Sequence, residues 1–124
     1  MKRVLLTLIM TGMIWSTAWA GARDISSKEA RNMLENDKGI FVLDVRTPTE
    51  ASMGKLPGAV LIPMRELERR ISELPKNRKV LIYCAVGGRS GSASGVLSKN
   101  GYDVYNMTDG ILGWYRNGFP LERK

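Results

Sequence analysis

Short apolar runs alternate with amphipathic segments along this chain. Four apolar runs predict buried strands, at residues 40–43, 59–62, 80–83 and 104–107. Helical spacing and end signals predict helices between them, at residues 26–36, 64–74, 91–100 and 111–118. Residues 47–50 (TPTE) are typical of one more helix start, with Pro48 at its first position. Strands that alternate with helices predict an α/β fold, in which helices cover both faces of a mostly parallel sheet.

The first residues have a different pattern. Lys2 and Arg3 precede the apolar residues 4–15, and AWA at residues 18–20 fits the small-x-small pattern of a cleavage site. We therefore expect residues 1–20 to be a secretory signal peptide and residues 21–124 to be one exported, periplasmic domain. The alternative is an uncleaved membrane anchor, since this segment reaches the short limit of a spanning helix. After cleavage, no membrane contact is expected.

Composition narrows the available chemistry. The chain has 124 residues, a formal net charge of +7, one cysteine and no histidine. One cysteine cannot form an intramolecular disulfide, and without histidine neither a structural zinc site nor Ser-His-Asp or Cys-His machinery can be built. We expect no metal and no cofactor. Glutamates lie among the basic residues of segment 65–79, which therefore predicts a solvated surface and not a nucleic-acid site.

The loop after the third predicted strand, CAVGGRS at residues 84–90, carries the candidate chemistry. Ligands of parallel sheets bind beyond the carboxyl ends of the strands, where Cys84 is expected. Two glycines permit positive φ angles, so the backbone amides can curl around an anion, and the next helix directs its positive end to the same point. These features favour a thiolate at Cys84. The candidate binding residues are Ala85, Val86, Gly87, Gly88, Arg89 and Ser90. The alternative is a buried, inert cysteine.

With these motifs in place, nearly all of residues 21–124 resembles the single-domain rhodaneses, a family of sulfurtransferases. The matching segments are DVRTPTE (44–50), GKLPGA (54–59), IP (62–63), CAVGGRS (84–90), GYDV (101–104) and GILGW (110–114). The resemblance implies a central, mostly parallel sheet of about five strands. It also implies that Cys84 takes sulfur from a donor such as thiosulfate as a persulfide, then passes it to cyanide or a thiol. The resemblance leaves open whether a protein is also an acceptor of the sulfur.

Several individual residues bear on the function that the resemblance implies. Lys55 replaces the usual family histidine, but it is not the nucleophile, so we expect catalysis to survive. Ala85 replaces the basic residue of many thiosulfate-using members, which argues against thiosulfate as the physiological donor. Arg89 has two open roles: it binds the donor, or it pairs with a carboxylate and braces the loop. Asp44 and Arg46 are interpreted as a buried ion pair.

Three further interpretations concern the helices. Glu50 is interpreted as a carboxylate at a helix N-terminus. Trp114 is expected to pack in the core and Tyr115 at its rim, and neither is expected to clamp the substrate.

The sequence also bears on three rival functions. Phosphatases and arsenate reductases with a cysteine-arginine loop place five residues between the two, whereas this chain has four. A thiol-redox protein lacks the second cysteine that would resolve an oxidised Cys84. A persulfide carrier or binding module, with little turnover of free donors, is the main alternative, and the neutral loop mildly favours it.

Overall fold

The computed structural model describes residues 21–123, and the predicted signal peptide lies outside them. The strands are β1 (Arg23–Ile25), β2 (Phe41–Asp44), β3 (Val60–Leu61), β4 (Val80–Tyr83) and β5 (Val104–Met107). The helices are α1 (Ser27–Asn36), α2 (Pro48–Ser52), α3 (Met64–Leu67), α4 (Gly88–Lys99) and α5 (Gly110–Arg116). Between residues 21 and 123, no helix is both long and apolar enough to cross a membrane.

The strands form a single sheet in the order β1-β5-β4-β2-β3, and every neighbouring pair is parallel. The chain leaves β2 towards β3 on one side, whereas it leaves β4 towards β5 on the other. The carboxyl ends of β2 and β4 therefore flank the point at which the winding direction reverses. In open parallel sheets this is where a crevice forms and ligands bind.

Two apolar clusters cover the two faces of the sheet, as the α/β prediction required. Along β4, Val80 and Ile82 pack into the cluster that includes α3 and α4, while Leu81 and Tyr83 pack into the cluster that includes α1 and α5. This is the two-residue alternation of a strand with both faces buried. Cys84 continues the alternation and lies on the α4 side.

Local signals located several helix ends correctly. Ser26 and Thr47 each cap a helix with a reciprocal capping box, completed by Glu29 and Glu50 respectively. Gly101, with a φ of +86°, follows the end of α4 as expected.

The predicted helix at 64–74 is wrong in its second half. The α-helical part ends at Leu67, and a 3₁₀ turn covers Ile71–Glu73. The hydroxyl of Tyr102 bonds to the carbonyls of Ile71 and Leu74, at 3.0 and 3.1 Å. These bonds from the residue just before β5 hold the 3₁₀ turn in place.

Other boundaries also shift. The fourth helix starts at Gly88, three residues before the predicted residue 91, since Gly87 is its N-cap and Gly88 is already its first residue. The strand predicted at 59–62 shortens to Val60–Leu61, because the amide of Ala59 is used in a turn with Leu56. The hydrophobic pattern did not predict β1, whose residues are largely exposed and which is fixed by pairing with β5.

Candidate active site

Cys84 directly follows β4, at the carboxyl edge of the sheet, and the loop after it leads into α4 at Gly88. The carbonyl oxygens at the start of this loop are turned away from the thiol. Ile111 and Leu112, in the first turn of α5, donate their amides to the carbonyls of Cys84 and Ala85, at 2.9 and 3.2 Å. A helix N-terminus has such amides to spare. With its carbonyls held by α5, the loop can direct amides towards the sulfur.

Gly87 makes the sharp turn of the loop. Its φ is +99°, in the left-handed region that favours glycine, and a Cβ there would lie 2.2 Å from the carbonyl oxygen of Thr108. The expectation that both glycines would supply positive φ angles is therefore wrong for Gly88. That residue has no positive φ and opens α4 with ordinary helical geometry.

The thiol of Cys84 lies in a nest of donors. The amides of Gly87 and Ser90 donate to Sγ at 3.1 and 3.3 Å, and Cys84 is only 1% exposed. Burial alone raises the pKa of Cys84. Hydrogen bonds from Ser90, Gly87 and Val86 outweigh it, so the net pKa is lowered. The geometry favours a thiolate without help from histidine.

Arg89 does not point a free charge at the thiol. Its guanidinium makes two 2.8 Å hydrogen bonds to the carboxylate of Glu50, which reaches it from α2. Of the two roles left open for Arg89, this pairing is the one that the structure contains. The carboxylate of Glu50 also accepts a hydrogen bond from the amide of Thr47 at 3.0 Å. It therefore has the expected role at the N-terminus of α2 and also braces the Cys84 loop through Arg89. Hydrogen bonds from Arg89 hold the pKa of Glu50 at about 2, and the carboxylate stays ionised.

A buried network beneath the site ties the loops together. Arg46 pairs with Asp44 at 2.7 Å, and the two side chains are 6% and 0% exposed. Arg46 also donates to the carbonyl of Gly54 at 2.7 Å, and the Tyr83 hydroxyl donates to Asp44 at 2.9 Å. The interpretation of Asp44 and Arg46 as a buried ion pair is confirmed. Both are satisfied internally, so they position the site and leave the reacting atoms to the loop.

Two supporting features were missed by the sequence analysis. Gly110 has a φ of +63°, and a Cβ there would lie 2.1 Å from the carbonyl oxygen of Ala85. Asp109, before it, accepts the amide and hydroxyl of the buried Ser27 at 2.8 and 2.7 Å, which anchors the β5–α5 turn. Gly110 belongs to GILGW (110–114), one of the segments that resemble the rhodaneses, and this match could have indicated that the residue has a role. The long-range contact with Asp109 has no local signal.

The remaining side chains that the sequence singled out differ in exposure. Val86 projects from the loop and is 63% exposed. Lys55 donates to the carbonyl of Ala59 at 2.9 Å and lies 3.7 Å from Glu122, so it takes part in another contact. Trp114 is buried and its indole donates to the carbonyl of Pro120, whereas Tyr115 is exposed. In the described part of the chain, no cluster of three or more acidic or cysteine side chains could hold a metal ion.

Comparison with known proteins agrees with this geometry. The model of the rhodanese-like domain matches residues 26–117. A sulfurtransferase of Allochromatium vinosum is 38% identical over 99 residues, covering 79% of this chain and 92% of its own. "Putative sulfur carrier protein YrkF" of Bacillus subtilis is 34% identical over 92 residues, 73% of this chain but half of its own length. The crystal structure of a rhodanese-related protein from Thermoplasma volcanium has a TM-score of 0.76 and 32% identity, covering 82% of this chain and 99% of that one.

Proposed function

The chain belongs to the rhodanese-like family of sulfurtransferases, and we propose that it moves sulfane sulfur through a persulfide on Cys84. The observation that carries the proposal is the thiol itself. It is held at the carboxyl edge of the sheet, with the amides of Gly87 and Ser90 on its sulfur and a lowered pKa. A thiolate is the nucleophile that such a transfer needs.

In the first half-reaction, the Cys84 thiolate attacks the outer sulfur of a donor such as thiosulfate. The sulfur–sulfur bond of the donor breaks, and its electron pair leaves with the remainder, which is sulfite in the case of thiosulfate. In the second half-reaction, cyanide or a thiolate attacks the outer sulfur of the persulfide and restores the Cys84 thiolate. The loop amides stabilise the negative sulfur at both stages, as an oxyanion hole stabilises oxygen.

The electrostatics of the loop bear on the donor. Because Glu50 neutralises Arg89, the loop itself presents amide dipoles and no unpaired cation to an incoming dianion. This supports sulfur transfer while it disfavours tight binding of thiosulfate. The same pairing disfavours a phosphatase mechanism, in which an unpaired arginine would hold the oxyanion, and the ionised Glu50 cannot serve as the general acid.

A carrier role is the second candidate. The neutral, apolar loop and the similarity to a relative named for sulfur carriage support it. The test measures thiocyanate release with thiosulfate and cyanide over time, with Cys84→Ser as the control. The proposal predicts many thiocyanates released per chain and none from the variant. A single burst stoichiometric with the protein would replace the enzyme by the carrier, and equal release from the variant would refute a role for Cys84.

We also propose that the protein acts in the periplasm after removal of residues 1–20, which rests on the sequence pattern alone. Expression with its native N-terminus, followed by cell fractionation and mass measurement, tests this. The expected product is periplasmic and begins at Gly21. A full-length cytoplasmic or membrane-bound product would contradict it.

A further inference from the structure

A cleft of about 250 Å³ lies beside the Cys84 loop, bordered on one side by Arg89. Its other walls come from the segments that follow β2 and β3. Val45, Pro48, Pro63 and Met64 contribute apolar surface. The cleft is therefore at the carboxyl edge of the sheet, next to the crevice where the winding direction reverses, and its walls suit an aliphatic chain.

Arg65 also lines this cleft, from the four-residue helix α3, and is exposed to solvent. The nearby glutamate of the same helix, Glu66, pairs with Arg69 and Arg70 at 3.4 and 2.9 Å. Arg89 is paired with Glu50. Within residues 21–123, no carboxylate lies within 4.0 Å of the Arg65 guanidinium. Arg65 is thus the cation of the cleft that is left to meet a ligand.

The sheet sets the spacing of the elements that carry Cys84 and Arg65. The strands β4, β2 and β3 are consecutive neighbours, and adjacent strands lie about 4.8 Å apart. The line of β4, which ends at Cys84, and the line of β3, which leads to Arg65, are therefore about 10 Å apart. A molecule that reacts at the sulfur and pairs with Arg65 therefore has to bridge these two elements, with a thiol at one end and a carboxylate at the other. The number of methylene groups between them is the quantity that the test varies.

We propose that Arg65 binds the carboxylate of an aliphatic thiol that accepts sulfur from Cys84, which makes it a specificity-determining residue. This rests on the persulfide mechanism proposed above. The acceptor thiolate attacks the outer sulfur, and the bond from that sulfur to Cys84 Sγ breaks. The electron pair stays on Sγ as a thiolate, and the product is the persulfide of the acceptor. The exchange needs no oxidant or reductant.

The test uses protein loaded with persulfide, which is verified by intact mass before any acceptor is added. Sulfur loss is then followed in single turnovers against ω-mercaptocarboxylates of increasing chain length and the ω-mercaptoalcohols of matched length. The proteins are the wild type, Arg65→Ala, Arg65→Glu and the control Arg69→Ala, which removes an exposed arginine that already has a partner. The ratio of each variant to wild type cancels the intrinsic reactivity of each thiol.

The wild type is expected to prefer the carboxylate over the alcohol, most strongly at the chain length that spans the cleft. Arg65→Ala should weaken the apparent affinity for that carboxylate about two- to fivefold, the range of an exposed ion pair, and leave the limiting rate unchanged. Arg65→Glu should weaken it about tenfold, because attraction becomes repulsion. Arg69→Ala and all reactions of the alcohols should stay at wild-type values.

Two failures are distinguishable. If no persulfide forms on the wild type with any donor, the proposed function fails before the acceptor is involved. If the persulfide forms and the wild type and Arg65→Ala discriminate carboxylates from alcohols equally, or neither discriminates, the assignment of Arg65 is overturned while the persulfide mechanism stands.

Discussion

Replacement of Gly110 by alanine should deform the Cys84 loop, because the new side chain would collide with Ala85. Two costs follow from the structure. The φ of +63° places the new side chain in the left-handed region, at a cost of about 1–2 kcal/mol. The Cβ would also lie 2.1 Å from the carbonyl oxygen of Ala85, and relief of such overpacking costs about 1–3 kcal/mol. We expect Gly110→Ala to lose about 2–5 kcal/mol of unfolding free energy.

Two matched glycines separate these costs. Gly118 has a φ of +73° but nothing within 4 Å of an added Cβ, so Gly118→Ala should lose only the conformational part, about 1–2 kcal/mol. Gly95 lies inside α4, with nothing within 4 Å of an added Cβ and no positive φ. Gly95→Ala should therefore raise the unfolding free energy by up to about 1 kcal/mol. Urea unfolding of the three variants and the wild type gives the comparison.

The same variants test the site through its thiol. If the Ala85 carbonyl must retreat from the new methyl group, the amides of Gly87 and Ser90 move with the loop and their bonds to Sγ lengthen. The pKa of Cys84 should then rise in Gly110→Ala and stay unchanged in Gly118→Ala. Ultraviolet absorbance of the thiolate against pH measures it, with Cys84→Ser as the blank, since the chain has one cysteine. Equal destabilisation of both variants with an unmoved thiol pKa would refute this reasoning.

Three further predictions concern the residues around the loop. Asp44→Asn should cost about 3–5 kcal/mol in urea unfolding, because it leaves a buried arginine without its counter-ion, and a loss below about 1 kcal/mol would contradict the network. Glu50→Gln should flatten the acid side of the curve of unfolding free energy against pH. The pKa of Glu50 is about 2 in the folded protein and 4.5 ordinarily, so its pairing with Arg89 stabilises the fold above pH 4.5 and is lost as the pH falls towards 2. An unchanged acid side in the variant would refute this. Ser90→Ala should raise the pKa of Cys84 only in part, since the backbone amide remains, and an unchanged titration would exclude the hydroxyl.

Local chemistry made much of this fold predictable. The strand β4 was located at its observed bounds because its four residues are all apolar, follow the polar residues 76–79 and precede the glycine-containing loop. The two capped helix starts were found because a serine or threonine and a glutamate three residues later satisfy each other within one turn. By contrast, β1 is largely exposed and exists through pairing with β5, some eighty positions away, which no local pattern encodes.

The residues of the site also divide into those that local sequence predicted and those that long-range contacts fix. The thiol, the sharp turn at Gly87 and the helix behind it follow one another in the chain, so their spacing predicted them together. The partner of Arg89 was left open because Glu50 lies 39 positions away, and its capping role is the part that its own helix explains. The contact between Gly110 and Ala85 is equally non-local. Sequence spacing thus predicts the nucleophile and its amides, while the fold supplies the braces.

Intact mass spectrometry measures directly whether Cys84 carries the transferred sulfur. Purified residues 21–124 are incubated with thiosulfate and, separately, with an organic persulfide, without acceptor, beside Cys84→Ser. We expect one added sulfur atom per wild-type chain with at least one donor, none on the variant, and its removal by cyanide. Folded wild-type protein that gains no sulfur from either donor, or an equal gain on Cys84→Ser, would exclude a persulfide on Cys84 as the route of transfer.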